Sequence, residues 1–297
     1  MTQPSRKLSP RATALLSASD QERIAHINHP LFINYPRASE LLAEMEDLLE
    51  HPRTNRMPNL LLVGRSNNGK TEILSEFMKR HPADEQLDQE TIYAPVIYIQ
   101  APPGPSEHLF LNKMLLMLGI VVKVNETPDR KLLQLMEVMR QIGTRVLLLD
   151  ELNALLAGSV TKQRFFLNML KYLSNELQIS IVAAGTQDAI QAVKSDAQIE
   201  SRFPLRRLPR WQEGDNFRRL LASFEYTLPL KEASSLQKVD LARKLFGMSE
   251  GVIGELSNII RSAAQHAIKT GEERITSDVI DNCPYVTRKS DQGDEPL

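Results

Sequence analysis

The stretch NLLLVGRSNNGKTEIL, Asn59 to Leu74, constrains this chain more than any other feature. An apolar run reaches Gly64, four residues intervene, and Gly69-Lys70-Thr71 opens a segment with helical spacing. Gly64 and Gly69 let the backbone turn tightly, so successive N–H groups point into the loop. Lys70 adds a mobile positive charge, Thr71 adds a hydroxyl, and the helix that follows contributes the field of its N-terminus. That combination suits a polyphosphate and its magnesium ion. Residue frequencies alone yield the pattern in roughly one chain of this length in a hundred, and the strand before it and the helix after it argue against a chance turn.

The surroundings carry the rhythm of a parallel sheet covered on both faces: short apolar runs separated by helical stretches. Five runs are expected as strands, over 59–63, 95–100, 145–149, 179–184 and, more weakly, 204–208. Helices fit between them over 71–80, 106–118, 130–142 and 163–176. The segment 1–57 reads as polar and helical. Its clearest element is 38–49, where Leu41, Leu42, Met45, Leu48 and Leu49 recur at helical spacing. After Pro209 the strand signal stops, and 215–224, 236–246, 252–269 and 277–281 read as helices. The expected organisation is an N-terminal helical segment (1–57), an α/β core (58–209), a helical lid (210–284) and a polar, loose tail (285–297).

Three further positions carry chemistry. VLLLDE, Val146 to Glu151, is an apolar strand ending in two acids, at the sheet edge where open α/β folds bind ligands. Asp150 is expected to hold Mg²⁺ through water, with Thr71 as the second metal-binding residue, and Glu151 to polarise an attacking water. Thr186 closes IVAAGT at the end of the fourth strand, where its side chain would reach the γ-phosphate. Arg202 lies in ESRF within an arginine-rich stretch and suits a finger delivered to a neighbouring subunit's phosphates.

Bulk composition adds limits. The net charge is −1, so contact with nucleic acid must come from a local patch rather than from overall charge. The single cysteine, Cys283, forms no internal disulfide and fits a reducing cytoplasm. The longest apolar run, 114–122 between Lys113 and Lys123, is far short of the roughly 20 residues needed to span a bilayer. The opening MTQPSRKLSPRATALL has no export-signal pattern. A soluble cytoplasmic protein is expected.

A phosphate loop, a strand ending in Asp-Glu, a strand ending in Gly-Thr, then SRF and a helical region together resemble an AAA+ ATPase. LLEHPRTNRMPNLLLVGRSNNGKT, YIQAPPGP, GTRVLLLDE, LNMLKYLSNELQISIVAAGT and LPRW narrow the resemblance to TniB, a transposon-encoded ATPase family related to TnsC; the similarity runs over roughly 8–285. The resemblance implies a five-stranded parallel sheet of order 5-1-4-3-2 sandwiched by helices, with a C-terminal helical lid. It implies that Gly64, Asn68, Gly69, Lys70 and Thr71 bind ATP; the other residues of the phosphate loop, Arg65, Ser66, Asn67 and Glu72, are expected at the same site. Asp150 and Glu151 would serve Mg²⁺ and hydrolysis, and Arg202 would act across a subunit interface. It also implies homo-oligomers, rings or filaments, on double-stranded DNA that recruit or activate a DDE transposase of TniA or TnsB type, often with a TniQ-type target selector.

Two features modify that expectation. Many AAA+ proteins carry a sensor arginine in a pattern like G-x-x-G-R, whereas this chain has GVIGEL with Glu255 there and Arg261 two turns on. DNA contacts would come from exposed basic residues of the core, for which Lys123, Arg130, Lys131, Lys162 and Arg164 are the candidates. The alternative readings are a replication initiator or loader ATPase, and a scaffold whose assembly is gated by ATP binding. A small-molecule kinase is disfavoured by the interface-like arginine pattern.

Overall fold

A computed structural model describes residues 7–29, 31–86, 91–123, 125–194 and 197–285. The chain forms two compact units. One comprises Pro36–Ser66 and Lys70–Leu208. The other comprises Met1–Tyr35, Asn67–Gly69 and Pro209–Leu297. No described helix is long and apolar enough to cross a membrane.

The first unit is built on strands β1 (Leu60–Gly64), β4 (Val96–Gln100), β5 (Val146–Asp150), β6 (Ser180–Gly185) and β7 (Leu205–Leu208). All pairings are parallel and the order is β4-β5-β6-β1-β7. Counted along the sheet, this is the expected 5-1-4-3-2 arrangement, with β6 between the strands that carry the loop and the acid pair. Every residue of β1, β5 and β6 is buried, which explains runs such as LLLV and VLLL without polar alternation. Helices α3 (Pro36–Glu50), α4 (Lys70–Arg80), α5 (Glu107–Met117), α6 (Pro128–Gln141) and α7 (Val160–Leu177) flank the sheet.

Local chemistry sets the helix starts. Ser106, Thr127 and Ser159 accept hydrogen bonds from the backbone three residues on, and Pro128 begins α6. Phe110 and Phe166 meet edge to face at 5.3 Å within the core. An antiparallel hairpin, β2 (Asp84–Gln86) and β3 (Thr91–Tyr93), lies outside the sheet. Its three-residue strands are too short to show a period in the sequence. Short helices α8 (Asp188–Lys194) and α9 (Ala197–Glu200) separate β6 from β7.

The second unit contains α1 (Pro10–Leu15), α2 (Asp20–Asn28), α10 (Asp215–Thr227), α11 (Val239–Ser249), α12 (Ile253–Thr270) and α13 (Ser277–Asn282). Its core includes Phe217, Leu221, Leu245, Ile259, Ile260 and Ala264. Glu225, buried, accepts the N–H groups of Ser234, Ser235 and Leu236 and shapes the loop before α11.

The segment 1–57 is therefore not a unit of its own, contrary to expectation. Ile27 of α2 joins the apolar core of the helical unit, and fully buried Arg23 pairs with Glu273 at 2.7 Å. In α3, by contrast, the apolar stripe Leu41, Leu42, Met45 and Leu48 is buried within the α/β unit. The tail expected over 285–297 lies, beyond Tyr285, outside the described residues.

Candidate nucleotide site

In the α/β unit β1 ends at Gly64. A Cβ there would lie 3.0 Å from the Leu208 carbonyl oxygen and 3.1 Å from Leu208 Cβ, so glycine lets β1 and β7 approach closely. Lys70, at the start of α4, is 5% exposed, and its ammonium donates to the carbonyls of Gly64 (3.0 Å) and Arg65 (2.7 Å). Burial lowers its pKa, opposed by the fields of Glu151, Asp150 and Glu72. An ammonium so held has a third N–H for an anion and gains by meeting one.

Thr71, the next residue, donates its hydroxyl to Asp150 Oδ2 at 2.6 Å. The Tyr98 hydroxyl donates to the same oxygen at 3.0 Å, and the Glu151 N–H donates to Oδ1 at 2.8 Å. Asp150 is 2% exposed, so these three donors replace the water its carboxylate forgoes. Burial and the Asp150 carboxylate together push the Tyr98 hydroxyl pKa well above its usual value, keeping it a donor. Thr71 and Asp150 present the hard oxygen ligands that magnesium takes beside substrate phosphates. With the Lys70 charge beside them, the residues fit a magnesium–nucleotide.

Glu151 sits in the left-handed region at φ 57°, which turns its side chain away from the line of β5. Its carboxylate accepts from Asn153 Nδ2 at 3.1 Å, and Asn153 Oδ1 accepts the Thr186 N–H at 3.1 Å. The Thr186 hydroxyl lies 3.5 Å from Asp188 Oδ2. Neither Tyr98 nor Asn153 stands out in the sequence. Tyr98 looks like one more aromatic strand residue, and Asn153 is a lone polar side chain in the apolar run LNALL.

Loop residues Asn67, Asn68 and Gly69 count with the helical unit. Asn67 (φ 60°) and Gly69 (φ 90°) are both in the left-handed region. Asn67 also accounts for Glu255. Helix α12 has no side-chain cap, and its Gly254 N–H donates instead to the Asn67 carbonyl at 2.9 Å. Asn67 Nδ2 donates to Glu255 Oε1 at 2.8 Å, while the Tyr285 hydroxyl donates to Glu255 Oε2. A Cβ on Gly254 would fall 2.0 Å from Asn67 Oδ1. The carboxylate at the usual sensor position thus holds a loop side chain. Arg261 lines an apolar cleft with Ile27, Phe224 and Ile260.

Arg202 is half-buried and donates to Asn175 Oδ1 at 2.6 Å in the same α/β unit. Of the five basic residues expected to face DNA, Lys123, Arg130, Lys162 and Arg164 are exposed. Lys131 is a correction. It is fully buried, with its ammonium 3.2 Å from His108 Nε2. It shares the 131-135-139 stripe of α6 with the buried residues Leu135 and Met139, so the helical period turns it inward.

Several solved structures share this fold. The Aeropyrum pernix ORC1 protein in complex with DNA superposes with a TM-score of 0.63 at 16% identity, over 87% of this chain and 67% of that one. The Aeropyrum pernix ORC2 protein in its ADPNP–ADP complexes gives 0.62 at 17% identity, over 88% and 72%. Drosophila ORC bound to DNA gives 0.57 at 15%, over 95% and 68%. These likenesses identify the AAA+ P-loop ATPase fold. No curated protein sequence matches the chain. The family model described as bacterial TniB protein matches residues 23–213, the span holding the phosphate loop, the acid pair, Thr186 and Arg202. On that match the chain belongs to the TniB family.

Proposed function

We propose that this protein is an ATP-dependent regulator of DNA transposition. It binds MgATP at Gly64–Glu72, assembles as a homo-oligomer on duplex DNA, and recruits or activates a DDE transposase of TniA or TnsB type. A TniQ-type selector would supply the target choice. One observation carries the reading: in a TniB-family chain, Lys70 lies at the loop carbonyls and Thr71 lies 2.6 Å from Asp150, an arrangement that suits a magnesium–nucleotide. Magnesium would supply charge neutralisation at the β and γ phosphates. The chain's own residues would do the rest. Lys70 binds the phosphate oxygens, Asp150 orients the Thr71 hydroxyl, Glu151 accepts a proton from the attacking water, and Arg202 of one protomer neutralises charge in its neighbour's site.

Contact with DNA is supported by the exposed Lys123, Arg130, Lys162 and Arg164 and by the DNA complexes of two structures that share the fold. Assembly is supported by strongly exposed apolar side chains on and beside α5 and α6, among them Leu116, Val121 and Leu133. The same likenesses favour, as a second reading, an initiator or loader ATPase of replication. Co-sedimentation with duplex DNA under ATP, ADP or no nucleotide tests the proposal, followed by addition of the cognate transposase. ATP-dependent assemblies that stimulate strand transfer are expected. Nucleotide binding without ATP-dependent assembly on DNA would overturn it.

A further inference from the structure

Asn153 has two neighbours of opposite chemistry. The Glu151 carboxylate only accepts hydrogen bonds and the Thr186 N–H only donates. A primary amide carries a donating NH₂ group and an accepting oxygen on the same carbon. Its NH₂ must therefore face Glu151 Oε2 and its oxygen must face Thr186, the two contacts observed at 3.1 Å each. An aspartate of the same shape could satisfy Thr186 but would set a second carboxylate against Glu151. Room for the amide comes from the strand end: a Cβ on Gly185 would lie 3.2 Å from Asn153 Oδ1 and 2.7 Å from Ala189 Cβ. The short 3-10 turn Leu152–Ala157 carries Asn153 and is anchored by the buried Leu152 and Leu155.

We propose that Asn153 is a positioning residue that fastens the Glu151 carboxylate to the end of β6 at Thr186. The inference rests on the reading of Glu151 as the group that takes the proton from water. Glu151 is a side chain with three torsions at a left-handed backbone position, free to swing over several directions. One charge-assisted hydrogen bond restricts it to the direction in which it is seen. Because the other end of the amide holds a backbone N–H, a shift of the β6–α8 junction also turns the carboxylate. Hydrolysis then responds to whatever reaches Thr186, without Asn153 touching nucleotide.

The test compares MgATP turnover of the full chain, with mixed-sequence duplex DNA present, for wild type, Glu151→Gln, Asn153→Ala and Asn153→Asp, each with its nucleotide affinity and melting temperature. Asn153→Ala should lower kcat roughly 10- to 100-fold, the worth of one hydrogen bond to a charged group, with nucleotide affinity unchanged. Asn153→Asp should lose as much, because its carboxylate cannot donate to Glu151 and repels it instead. A merely structural asparagine would lower affinity and thermal stability together with turnover, whereas a positioning residue lowers kcat alone. Loss of turnover in Glu151→Gln with wild-type kcat in Asn153→Ala and Asn153→Asp overturns the inference alone. Full turnover in Glu151→Gln overturns the reading of Glu151 and the inference with it.

Discussion

The Thr71 hydroxyl donates to Asp150 Oδ2 at 2.6 Å although 79 positions separate the two residues in sequence. The sheet order causes the meeting. With β6 between β1 and β5, the end of the strand carrying Asp150 lies one strand away from the loop that opens α4. The two oxygens that would share a magnesium ion are therefore aligned before any ion arrives, and Tyr98 adds a second donor to the same carboxylate.

This pair is expected to set the magnesium dependence of nucleotide binding. Thr71→Val keeps the shape and removes the hydroxyl. It should cut the magnesium-dependent part of the affinity about tenfold or more while leaving affinity in chelator nearly unchanged. Titration of a fluorescent ATP analogue with magnesium and with EDTA reads both quantities. Equal reductions under the two conditions would show that Thr71 only shapes the loop.

Arg202 should act on a neighbour. Arg202→Ala is expected to bind ATP like wild type and to lose hydrolysis that depends on assembly, by roughly 10³-fold as for other arginine fingers. The variant also frees Asn175 from its 2.6 Å hydrogen bond within the same protomer. Mixing Arg202→Ala with Glu151→Gln protomers separates the two effects. Each variant supplies what the other lacks, so partial activity should return in mixed assemblies. Unchanged turnover in assembled Arg202→Ala would remove the finger.

Much of this is legible in the sequence. The strands, their order and the helices between them follow from apolar runs such as VLLL and from the resemblance to AAA+ proteins, because a sheet buried on both faces leaves little freedom in its pattern. Contacts made by single polar residues are not legible. Nothing in LNALL says that Asn153 faces Glu151, and the strand VIYIQ does not say that the Tyr98 hydroxyl reaches Asp150. The split of the N-terminal segment at Tyr35 is also hidden, since an amphipathic helix does not announce which core it joins. The burial of Lys131, by contrast, is readable from the 131-135-139 spacing.

Charge removal should distinguish exposed from buried cations. Replacing Lys123, Arg130, Lys162 and Arg164 by alanine together should weaken duplex binding and flatten its salt dependence, by about 0.9 in log–log slope for each phosphate no longer neutralised. Lys131→Met should leave that slope alone. Binding isotherms from about 50 to 200 mM salt make the comparison. An unchanged slope in the fourfold variant would exclude these residues from the DNA surface.

The Arg23–Glu273 pair should make stability depend on acid. Glu273 is held down at about 2, chiefly by its hydrogen bonds to Arg23, against about 4.3 in the unfolded chain. Its contribution is full above about pH 4.3 and fades as the pH falls toward 2. Glu273→Gln leaves the fully buried guanidinium with Asp20 at 2.7 Å and the Pro229 carbonyl at 3.1 Å and should cost about 1–3 kcal/mol near neutrality, a deficit that narrows across that acid window. Urea unfolding of wild type and variant from pH 2 to 7 reads the difference, and a constant gap would contradict the assignment.

Gly254 should be intolerant of a side chain. A Cβ 2.0 Å from Asn67 Oδ1 and 2.5 Å from its carbonyl displaces a loop residue already in the left-handed region. Gly254→Ala is expected to reduce ATP affinity at least tenfold while the melting temperature falls by only a few degrees, about 1 kcal/mol. Calorimetric titration beside thermal unfolding checks both, and wild-type affinity in the variant would mean that the contact is incidental.

The most direct measurement is the lifetime of assemblies on duplex DNA with ATP, for wild type and Glu151→Gln. If nucleotide state governs assembly and Glu151 drives hydrolysis, wild-type complexes form with ATP and decay as it is consumed, and Glu151→Gln complexes persist. Equal lifetimes, or assemblies that form as readily without nucleotide, would contradict an ATP-governed regulator of transposition.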